Sequence, residues 1–280
     1  MKLLVELSNK NNLNLNCTGF ILPLKDYSVE STISFTIEEI ENIINKYNKE
    51  IFIKINKNLF NKDISIIKDI LIKLDKLNVK GIFFYDLAIL QLVKELNLDI
   101  DLIWNQTHMV NNYKTCNYYY SKGVKYALLG KELTLNEIKE IIKLSKINCM
   151  VEVISKPSVA VSHRRLITNY FQALGKNSTD KLQVMEKISN LKFNLIENNN
   201  DTSFFLDTIT NGTSIIKDLY VVNCPYIIIR EYGIGNFREL ISDTMKYISN
   251  GCIDNCYIKK YEKLGDSTNF FFKKTIYKVK

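Results

Sequence analysis

The chain has 280 residues, of which 46% are hydrophobic and 24% charged, with only ten Gly and three Pro. This composition excludes a disordered chain, a collagen-like repeat and a small disulfide-stapled protein, and the length allows one large domain or two small ones. The 38 Lys and Arg residues against 30 Asp and Glu give a net charge of +8, which favours anionic partners such as RNA.

The sequence shows no sign of a membrane or secretory protein. No stretch reaches the roughly 18 to 20 apolar residues that a membrane-spanning helix needs, so we expect no membrane partner. Residues Met1 to Asn11 lack the basic, apolar and small-residue order of a signal peptide. We therefore expect a cytoplasmic protein whose six Cys residues are reduced.

The first predicted elements are two short strands, Lys2 to Leu7 and Thr18 to Leu24, followed by a helix. That helix begins at Thr36, because Thr36 and Glu39 form a Thr-x-x-Glu capping box. The strand and helix unit then repeats. Further strands are predicted at Glu50 to Asn56, Val79 to Tyr85, Ile100 to Asn105, Tyr126 to Leu129, Cys149 to Ile154 and Tyr226 to Glu231. Further helices are predicted at Ile66 to Leu74, Leu87 to Leu96, Lys114 to Lys122, Thr134 to Leu144 and Asn236 to Asn250.

Strands and helices thus alternate about every 25 residues, which predicts parallel strands joined by crossover helices. The fold class is α/β, and we predict a single (β/α) barrel-like, TIM-barrel-like domain over residues 1–251. A short basic, aromatic extension is predicted over residues 252–280. Between Leu174 and Leu219 the pattern loosens, and the polar run Asn198 to Asp201 separates two β-rich segments, which favours an inserted hairpin.

In a barrel of this kind the chemistry belongs at the C-terminal ends of the strands. The polar residues after the predicted strands are Asn56, Asn61, Asp86, Asn105, Gln106, His108, Lys131 and Glu132, with the segment from Ser155. Glu132 beside Lys131 favours a general acid/base pair, with a structural ion pair at a helix start as the alternative. The side chains of Asn56, Asn105 and Gln106 offer neutral hydrogen bonds that would orient a substrate.

Two further groups of charged residues are candidates for binding. His163, Arg164 and Arg165 are three adjacent potential cations, which suits phosphate or carboxylate binding through Arg forks, or else a solvated basic turn. Glu152 falls within a buried strand, where a carboxylate is costly unless paired. Arg230 and Glu231, after the last core strand, would pair with charges there or complete the site.

Cysteine and tyrosine patterns give weaker signals. Cys252 and Cys256 are four residues apart, too little for a metal site by itself, and we predict no metal. The run Tyr118 to Tyr120 favours either stacking on nucleic-acid bases or a place in the core.

Five segments carry a family resemblance: Phe52 to Asn61 (FIKINKNLFN), Val79 to Asp86 (VKGIFFYD), Asn105 to Asn112 (NQTHMVNN), Leu128 to Thr134 (LLGKELT) and Ser162 to Phe171 (SHRRLITNYF). In their order and spacing they resemble the peptidase U32 family, known also as collagenase-like proteases. Asn112 to Tyr120 (NYKTCNYYY) and Ser162 to Phe171 are most similar to the short branch linked to wobble-uridine hydroxylation of tRNA, and the C-terminal Phe270 to Tyr277 is similar to it too.

This resemblance implies a barrel-like α/β fold, a cytoplasmic location, and either peptide hydrolysis or tRNA modification. The chain also departs from the family pattern, which places a His-Gly pair and a Cys after the seventh strand. Val151 to Val161 contains no His, Gly or Cys, and Arg165 stands where many members carry a second Cys. Larger relatives ligate an iron–sulfur cluster with four thiolates, and because the corresponding Cys residues are absent we do not expect a cluster here.

The sequence leaves three hypotheses for function. The first is an RNA-modification factor that binds tRNA and a small organic acid, in which Lys131, Arg164 and Arg165 hold anions while Glu132, Gln106 and Asn105 position the reacting group. The second is a collagenase-like protease, although the sequence has neither an HExxH motif nor a Ser nucleophile elbow. The third is a non-catalytic partner of a longer U32 paralogue, and a homo-oligomer also stays open.

Overall fold

The structure is a computed structural model that describes residues 1–106, 108–199, 201–265, 268 and 270–273. Its centre is a closed sheet of eight parallel strands: β1 (Lys2–Glu6), β2 (Gly19–Pro23), β3 (Glu50–Ile55), β4 (Gly81–Phe84), β5 (Asp101–Trp104), β6 (Tyr126–Leu128), β7 (Asn148–Ser155) and β13 (Tyr226–Arg230). The sheet closes because β1 pairs with both β2 and β13, while β7 pairs with both β6 and β13. The predicted TIM-barrel-like α/β fold is confirmed.

Helices cover the outside of the barrel and connect its strands. They are α1 (Ile37–Lys46), α2 (Ile64–Lys76), α3 (Leu87–Glu95), α4 (Tyr113–Ser121), α5 (Leu135–Leu144), α7 (Ile216–Val221) and α8 (Phe237–Ser249). The two predicted capping boxes are present: Thr36 with Glu39 begins α1, and Thr134 with Glu137 begins α5. Each box satisfies backbone N–H groups that would otherwise lack partners at a helix start.

The barrel interior is filled by apolar side chains. This layer consists of Leu4, Ile21, Phe52, Phe83, Ile103, Tyr126, Leu128, Met150, Tyr226 and Ile228. Phe52 contacts Phe83 and Tyr226 edge to face, with ring centroids 5.9 and 5.6 Å apart. At Gly19 the neighbouring strand β3 approaches so closely that a Cβ atom would collide with the carbonyl oxygen of Glu50. The packed interior leaves the mouth at the strands' C-terminal ends as the place for chemistry.

A second sheet is inserted between β7 and β13, and we call residues 158–206 the insert. It contains β8 (Ser158–Ser162), α6 (Leu166–Ala173), β9 (Lys181–Met185), β10 (Lys192–Glu197) and β11 (Thr202–Leu206). The four strands are antiparallel in the order β8-β11-β10-β9. The predicted hairpin across residues 198–201 is confirmed as β10 and β11. The short β12 (Thr210–Asn211) then pairs antiparallel with β7.

The segment after α8 packs against the barrel. Helix α9 (Asn255–Tyr261) buries Tyr257 and Tyr261, and the Tyr257 ring stacks on Tyr247 of α8 with centroids 4.4 Å apart. Phe271 is buried as well, and its carbonyl accepts a hydrogen bond from the N–H of Leu135. The predicted boundary at residue 251 falls between α8 and α9, and residues 274–280 of the predicted extension lie outside the described residues. Within the described part of the chain, no helix has the length and apolar character to span a membrane.

Candidate functional site

Charged side chains line the barrel above its apolar interior, toward the C-terminal ends of the strands. Glu6 follows the interior residue Leu4 by two positions on β1, and Lys54 follows Phe52 in the same way on β3. Because side chains alternate between the two faces of a strand, a residue two positions on points into the same interior. Glu152 and Arg230 follow Met150 and Ile228 by the same rule. These four residues with Lys131 form what we call the mouth cluster.

The mouth cluster is a continuous chain of ion pairs. Lys54 Nζ lies 2.9 Å from Glu6 Oε1, and Arg230 Nε lies 3.6 Å from Glu6 Oε2. Arg230 Nε also lies 2.6 Å from Glu152 Oε2, while Lys131 Nζ lies 3.0 Å from Glu152 Oε1. All of these residues except Lys131 are buried. The buried carboxylate of Glu152, which is costly unless paired, is thus paired with both Arg230 and Lys131.

The cations of the cluster hold its two carboxylates ionised. Burial by itself raises the pKa of the Glu152 carboxyl, but Arg230 and Lys131 outweigh burial and lower the pKa from 4.5 to about 2. Burial likewise opposes ionisation of Glu6, and Arg230 and Lys54 bring its pKa below the usual value. The pKa of Lys54 is lowered, chiefly by burial, despite the attraction of Glu6. Glu6 and Glu152 are therefore fixed negative charges at neutral pH rather than proton donors.

The cluster also positions the loop that follows β2. Lys54 Nζ donates to the carbonyl oxygen of Glu30 at 3.1 Å and to Ser31 Oγ at 2.9 Å. Asn56 Oδ1 accepts from the N–H of Val29 at 2.9 Å. The N–H of Glu30 in turn donates to Ser203 Oγ on β11 at 3.2 Å, so the loop joins the barrel mouth to the insert.

A cleft of about 260 Å³ lies between this mouth and the insert. One wall comes from loops after β2, β3, β4 and β5, and the other comes from β8 and the residues after it. The lining residues are Val29, Glu30, Asn56, Asn58, Tyr85, His108, Val159, Ala160, Val161 and His163. The two histidines, which are the only ones in the sequence, therefore face a single cleft from opposite walls.

The predicted amides lie in or beside this cleft. Asn56 lines it, and Asn105 is buried at the end of β5. Gln106 Oε1 accepts from the indole N–H of Trp104 at 3.0 Å, and its Nε2 donates to the carbonyl oxygen of Tyr85 at 2.7 Å. Gln106 thereby connects the loop after β5 to the loop after β4.

Lys131 and Glu132 point to different partners. Lys131 reaches Glu152 inside the mouth cluster, whereas the Glu132 side chain is 51% exposed. Glu132 Oε1 lies 3.7 Å from His108 Nδ1 on the rim of the cleft. Glu132, predicted to form a general acid/base pair with Lys131, thus contacts the cleft by way of His108.

The predicted basic turn lies at the end of β8. His163 faces the cleft, and Arg164 is exposed and has no ion pair among the residues that the structure describes. Arg165 Nε lies 3.3 Å from Glu197 Oε1, with the Arg165 side chain 58% exposed. Glu197 is buried and accepts from the N–H groups of Ile167 and Thr168 at the start of α6.

Glu231 occupies a different position from the other candidates. Its Oε2 accepts from the N–H groups of Ser8 and Asn9 at 2.6 and 3.0 Å. Its Oε1 accepts from the side-chain amide of Asn12. The carboxylate therefore holds the loop after β1, and Glu231 is not among the residues that line the cleft.

Sequence reasoning missed Glu6 and Lys54, because each interrupts an otherwise apolar strand and follows no motif. The signal available in the sequence was the alternation of side chains along a strand, since each residue lies two positions after a residue of the barrel interior. Asn58 and Tyr85 were missed as cleft residues. Their signal was position alone, because both follow barrel strands directly.

The thiols and tyrosines that gave weaker signals lie elsewhere. Cys252 is buried, which raises its pKa to about 11, while Cys256 is exposed. Across the described ranges, no group of three or more His, Cys, Asp or Glu side chains is arranged to hold a metal ion. Tyr119 is buried and stacks on Trp104 with ring centroids 4.0 Å apart, and the exposed Tyr118 and Tyr120 are not among the residues lining the cleft.

Comparisons with known proteins agree on the family to which the chain belongs. The model of Peptidase family U32 matches residues 22–229. The tRNA hydroxylation protein P2 of Bacillus subtilis is 24% identical, covering 95% of this chain and 94% of that protein. The tRNA hydroxylation protein P1 of the same organism is 24% identical, covering 55% of this chain and 37% of P1. The uncharacterized protease MJ0090 of Methanocaldococcus jannaschii is 30% identical, covering 68% of this chain and 47% of that protein. Because the family model spans most of the chain, the protein belongs to peptidase family U32.

Proposed function

We propose that this protein is a cytoplasmic factor in the hydroxylation of tRNA at the wobble uridine, and that it binds tRNA together with a small organic acid. The observation that carries the proposal is the convergence of His108 and His163 on one cleft at the barrel mouth. The similarity along nearly the whole chain to tRNA hydroxylation protein P2 points in the same direction.

The dimensions of the cleft favour a small ligand. Its volume of about 260 Å³ is below the roughly 300–1,000 Å³ of sites that enclose drug-sized molecules. A single nucleobase extruded from a loop, or a small acid, fits this scale. The amide of Asn58 and the two imidazoles supply the hydrogen-bond donors and acceptors that the polar edge of a base requires.

The proposed roles follow from position. Glu132 and His108 form the acid/base pair at the rim of the cleft. Lys131 assists this pair from the mouth cluster, where it is paired with Glu152. Gln106 and Asn105 orient the substrate from the end of β5. The cationic turn binds anions, either a tRNA phosphate or the carboxylate of the small acid, through His163, Arg164 and Arg165. Asn56 and Arg230 hold the walls of the site, while Glu231 holds the neighbouring loop.

Mass spectrometry of tRNA nucleosides tests the proposal directly. A strain that lacks this gene should lose a hydroxylated uridine, and the wild-type gene should restore it. Complementation with Glu132→Gln should fail although the protein accumulates and folds, because the rim carboxylate is removed. A nucleoside profile unchanged in this strain and in a second strain that also lacks any longer U32 paralogue would remove tRNA hydroxylation as the function.

Purified protein tests the proposed binding of tRNA. The double variant Arg164→Ala with Arg165→Ala should bind tRNA more weakly than the wild type. The slope of log affinity against log salt should also fall in magnitude, by about 0.7 to 0.9 for each phosphate that the variant no longer neutralises. Equal affinity and an equal slope would exclude this turn as an RNA-binding element.

Peptide hydrolysis is the second candidate, because MJ0090 is named a protease and shares the family. An assay of the purified chain with gelatin and unstructured peptides distinguishes it from the first. A third arrangement, in which the chain is a non-catalytic partner of a longer paralogue, requires both proteins for the modified nucleoside. Co-purification of the two chains, and loss of the nucleoside in either single deletion, would identify that arrangement.

A further inference from the structure

Four large apolar side chains stand exposed on the rim beside the cleft, and we call them the apolar rim. They are Phe60, Tyr85, Leu87 and Met109, with exposed fractions of 59%, 37%, 52% and 62%. They follow three consecutive barrel strands, β3, β4 and β5. Neighbouring strands therefore bring them to one edge of the mouth, and Tyr85 itself lines the cleft. Clustered exposed apolar residues at a mouth commonly mark a binding surface.

Buried and half-buried polar groups fix the loops that carry the apolar rim. Asp63 Oδ2 accepts from the N–H of Phe60 at 2.9 Å, and Asp86 Oδ2 accepts from the N–H of Leu59 at 2.9 Å. Asp86 Oδ1 also caps α3 at the N–H of Ala88, and Gln106 ties the next loop to Tyr85. These hydrogen bonds fix the backbone of the loops, so the apolar rim is a preformed surface. The carboxylates of Asp63 and Asp86 accept from backbone N–H groups instead of projecting outward.

Cationic and titratable side chains surround the same edge. Lys62 is exposed two residues after Phe60, and His108, exposed directly before Met109, lies 3.7 Å from the exposed carboxylate of Glu132. Across the cleft lie His163 and the exposed Arg164. Apolar surfaces flanked by cations match a polyanion whose bases are unpaired, since each nucleotide has an aromatic face and one negative charge.

We propose that the apolar rim stacks the unpaired bases that flank the nucleotide held in the cleft. The inference rests on the proposed function and deepens it, because it names the recognised segment as single-stranded RNA, such as a loop, rather than a duplex. In a duplex the base faces are stacked on each other and closed to protein side chains. Phe60 and Tyr85 provide the aromatic faces, and Leu87 and Met109 extend the apolar surface.

Fluorescence anisotropy with two labelled RNAs tests the proposal. One RNA is a stem closed by an unpaired uridine-rich loop, and the other is the same stem as a blunt duplex. The wild-type protein should bind the loop RNA more tightly than the duplex. Phe60→Ala and Tyr85→Ala should each weaken loop binding about tenfold, because the stacking of one base on an aromatic side chain accounts for a change of that size.

Matched controls come from the opposite end of the barrel. Tyr220→Ala removes a tyrosine that is likewise 37% exposed, and Leu144→Ala removes a leucine that is 43% exposed. Both controls should leave loop binding unchanged. All of these side chains are partly exposed, so thermal unfolding should shift little and weaker binding reports on the RNA interface rather than on misfolding. The salt slope should stay constant in the rim variants, because stacking releases no counterions.

The outcomes separate this inference from the proposed function. Loop affinity that is equal in Phe60→Ala, Tyr85→Ala and Tyr220→Ala overturns the stacking role, even if the deletion strain lacks hydroxylated uridine; the rim would then serve a protein partner. Wild-type protein that binds neither RNA also overturns it. Selective loss of loop binding, with a nucleoside profile that is unchanged both in the deletion strain and in the strain that also lacks any longer U32 paralogue, supports the rim and removes the hydroxylation function instead.

Discussion

Glu152 in the barrel and Asp201 in the insert are both buried carboxylates, and their pKa values move in opposite directions. Glu152 lies between Arg230 and Lys131, and its pKa is lowered to about 2. Asp201 is fully buried and accepts from the hydroxyl of Ser203, and burial raises its pKa. Asp201 Oδ1 has no hydrogen-bond partner among the residues that the structure describes.

Burial disfavours the charge of both carboxylates, and the surrounding strands decide the outcome. The parallel strands of the closed barrel bring Lys54, Arg230 and the carboxylates within ion-pair distance, so each charge has an opposite charge within reach. The turn of an antiparallel hairpin supplies Asp201 mainly with hydroxyl and amide groups, and Lys54 attracts it only as a lesser influence. The barrel mouth is thus held by charge, whereas the insert carries one carboxylate that its surroundings disfavour.

Glu152→Ala tests this contrast most severely. The substitution leaves Arg230 and Lys131 without their shared partner in a buried site, and we expect the free energy of unfolding to fall by about 3–5 kcal/mol. Urea unfolding followed by circular dichroism measures the change. Glu152→Gln keeps the shape and should cost less. A loss below about 1 kcal/mol for the Ala variant would mean that water compensates the two cations.

Lowering the pH should decrease the contribution of Glu152 in the barrel to the free energy of unfolding and increase that of Asp201 in the insert. Because the folded pKa of Glu152 is depressed from 4.5 to about 2, its contribution is present above pH 4.5 and is lost as the pH falls toward 2. The shift corresponds to roughly 3 kcal/mol of unfolding free energy. Glu6 acts in the same direction. The unfolding free energy should therefore change much less with pH in Glu152→Gln than in the wild type over this pH range. An equal dependence on pH in the two proteins would assign the acid sensitivity to other groups.

The barrel could be predicted from the sequence to a large extent, because its strands and helices repeat with strong apolar periodicity. Capping boxes at Thr36 and Thr134 marked two helix starts correctly. The insert was only partly predicted. Strand β9 alternates between exposed and half-buried residues, so its sequence carries little apolar signal, and β8 begins within three residues of the end of β7.

The candidate site was predictable where polar residues follow strands, as at Asn56 and Gln106. The partners within the mouth cluster were harder to foresee. Lys54 and Glu6 are 48 residues apart, and the closure of the sheet brings them together with Arg230. Local spacing contains no information on which interior positions share a level in a closed barrel, since that depends on the register between strands.

The insert should gain stability when its disfavoured charge is removed. We expect Asp201→Asn to raise the free energy of unfolding by about 1 kcal/mol at neutral pH, because the amide still accepts from Ser203 without a buried charge. Because the folded pKa of Asp201 is raised, the protonated carboxyl stabilises the wild type below pH 3.8, and this contribution is lost as the pH rises. The stability difference between Asp201→Asn and the wild type should therefore shrink in acid. Asp207→Asn is the matched control, since that carboxylate pairs with Lys156 and its removal should stabilise nothing. A destabilised Asp201→Asn would show that the buried charge has a partner such as bound water.

Arg165→Ala should change stability the least of these variants. Arg165 pairs with the buried Glu197, yet its own side chain is 58% exposed, so the pair is well screened by solvent. Glu197 retains the N–H groups of Ile167 and Thr168 after the substitution. We therefore expect a loss below about 1 kcal/mol in urea unfolding, with Arg164→Ala as a control that changes nothing. A loss as large as that of Glu152→Ala would mean that the insert also depends on a charge pair, and the contrast between the two regions would fail.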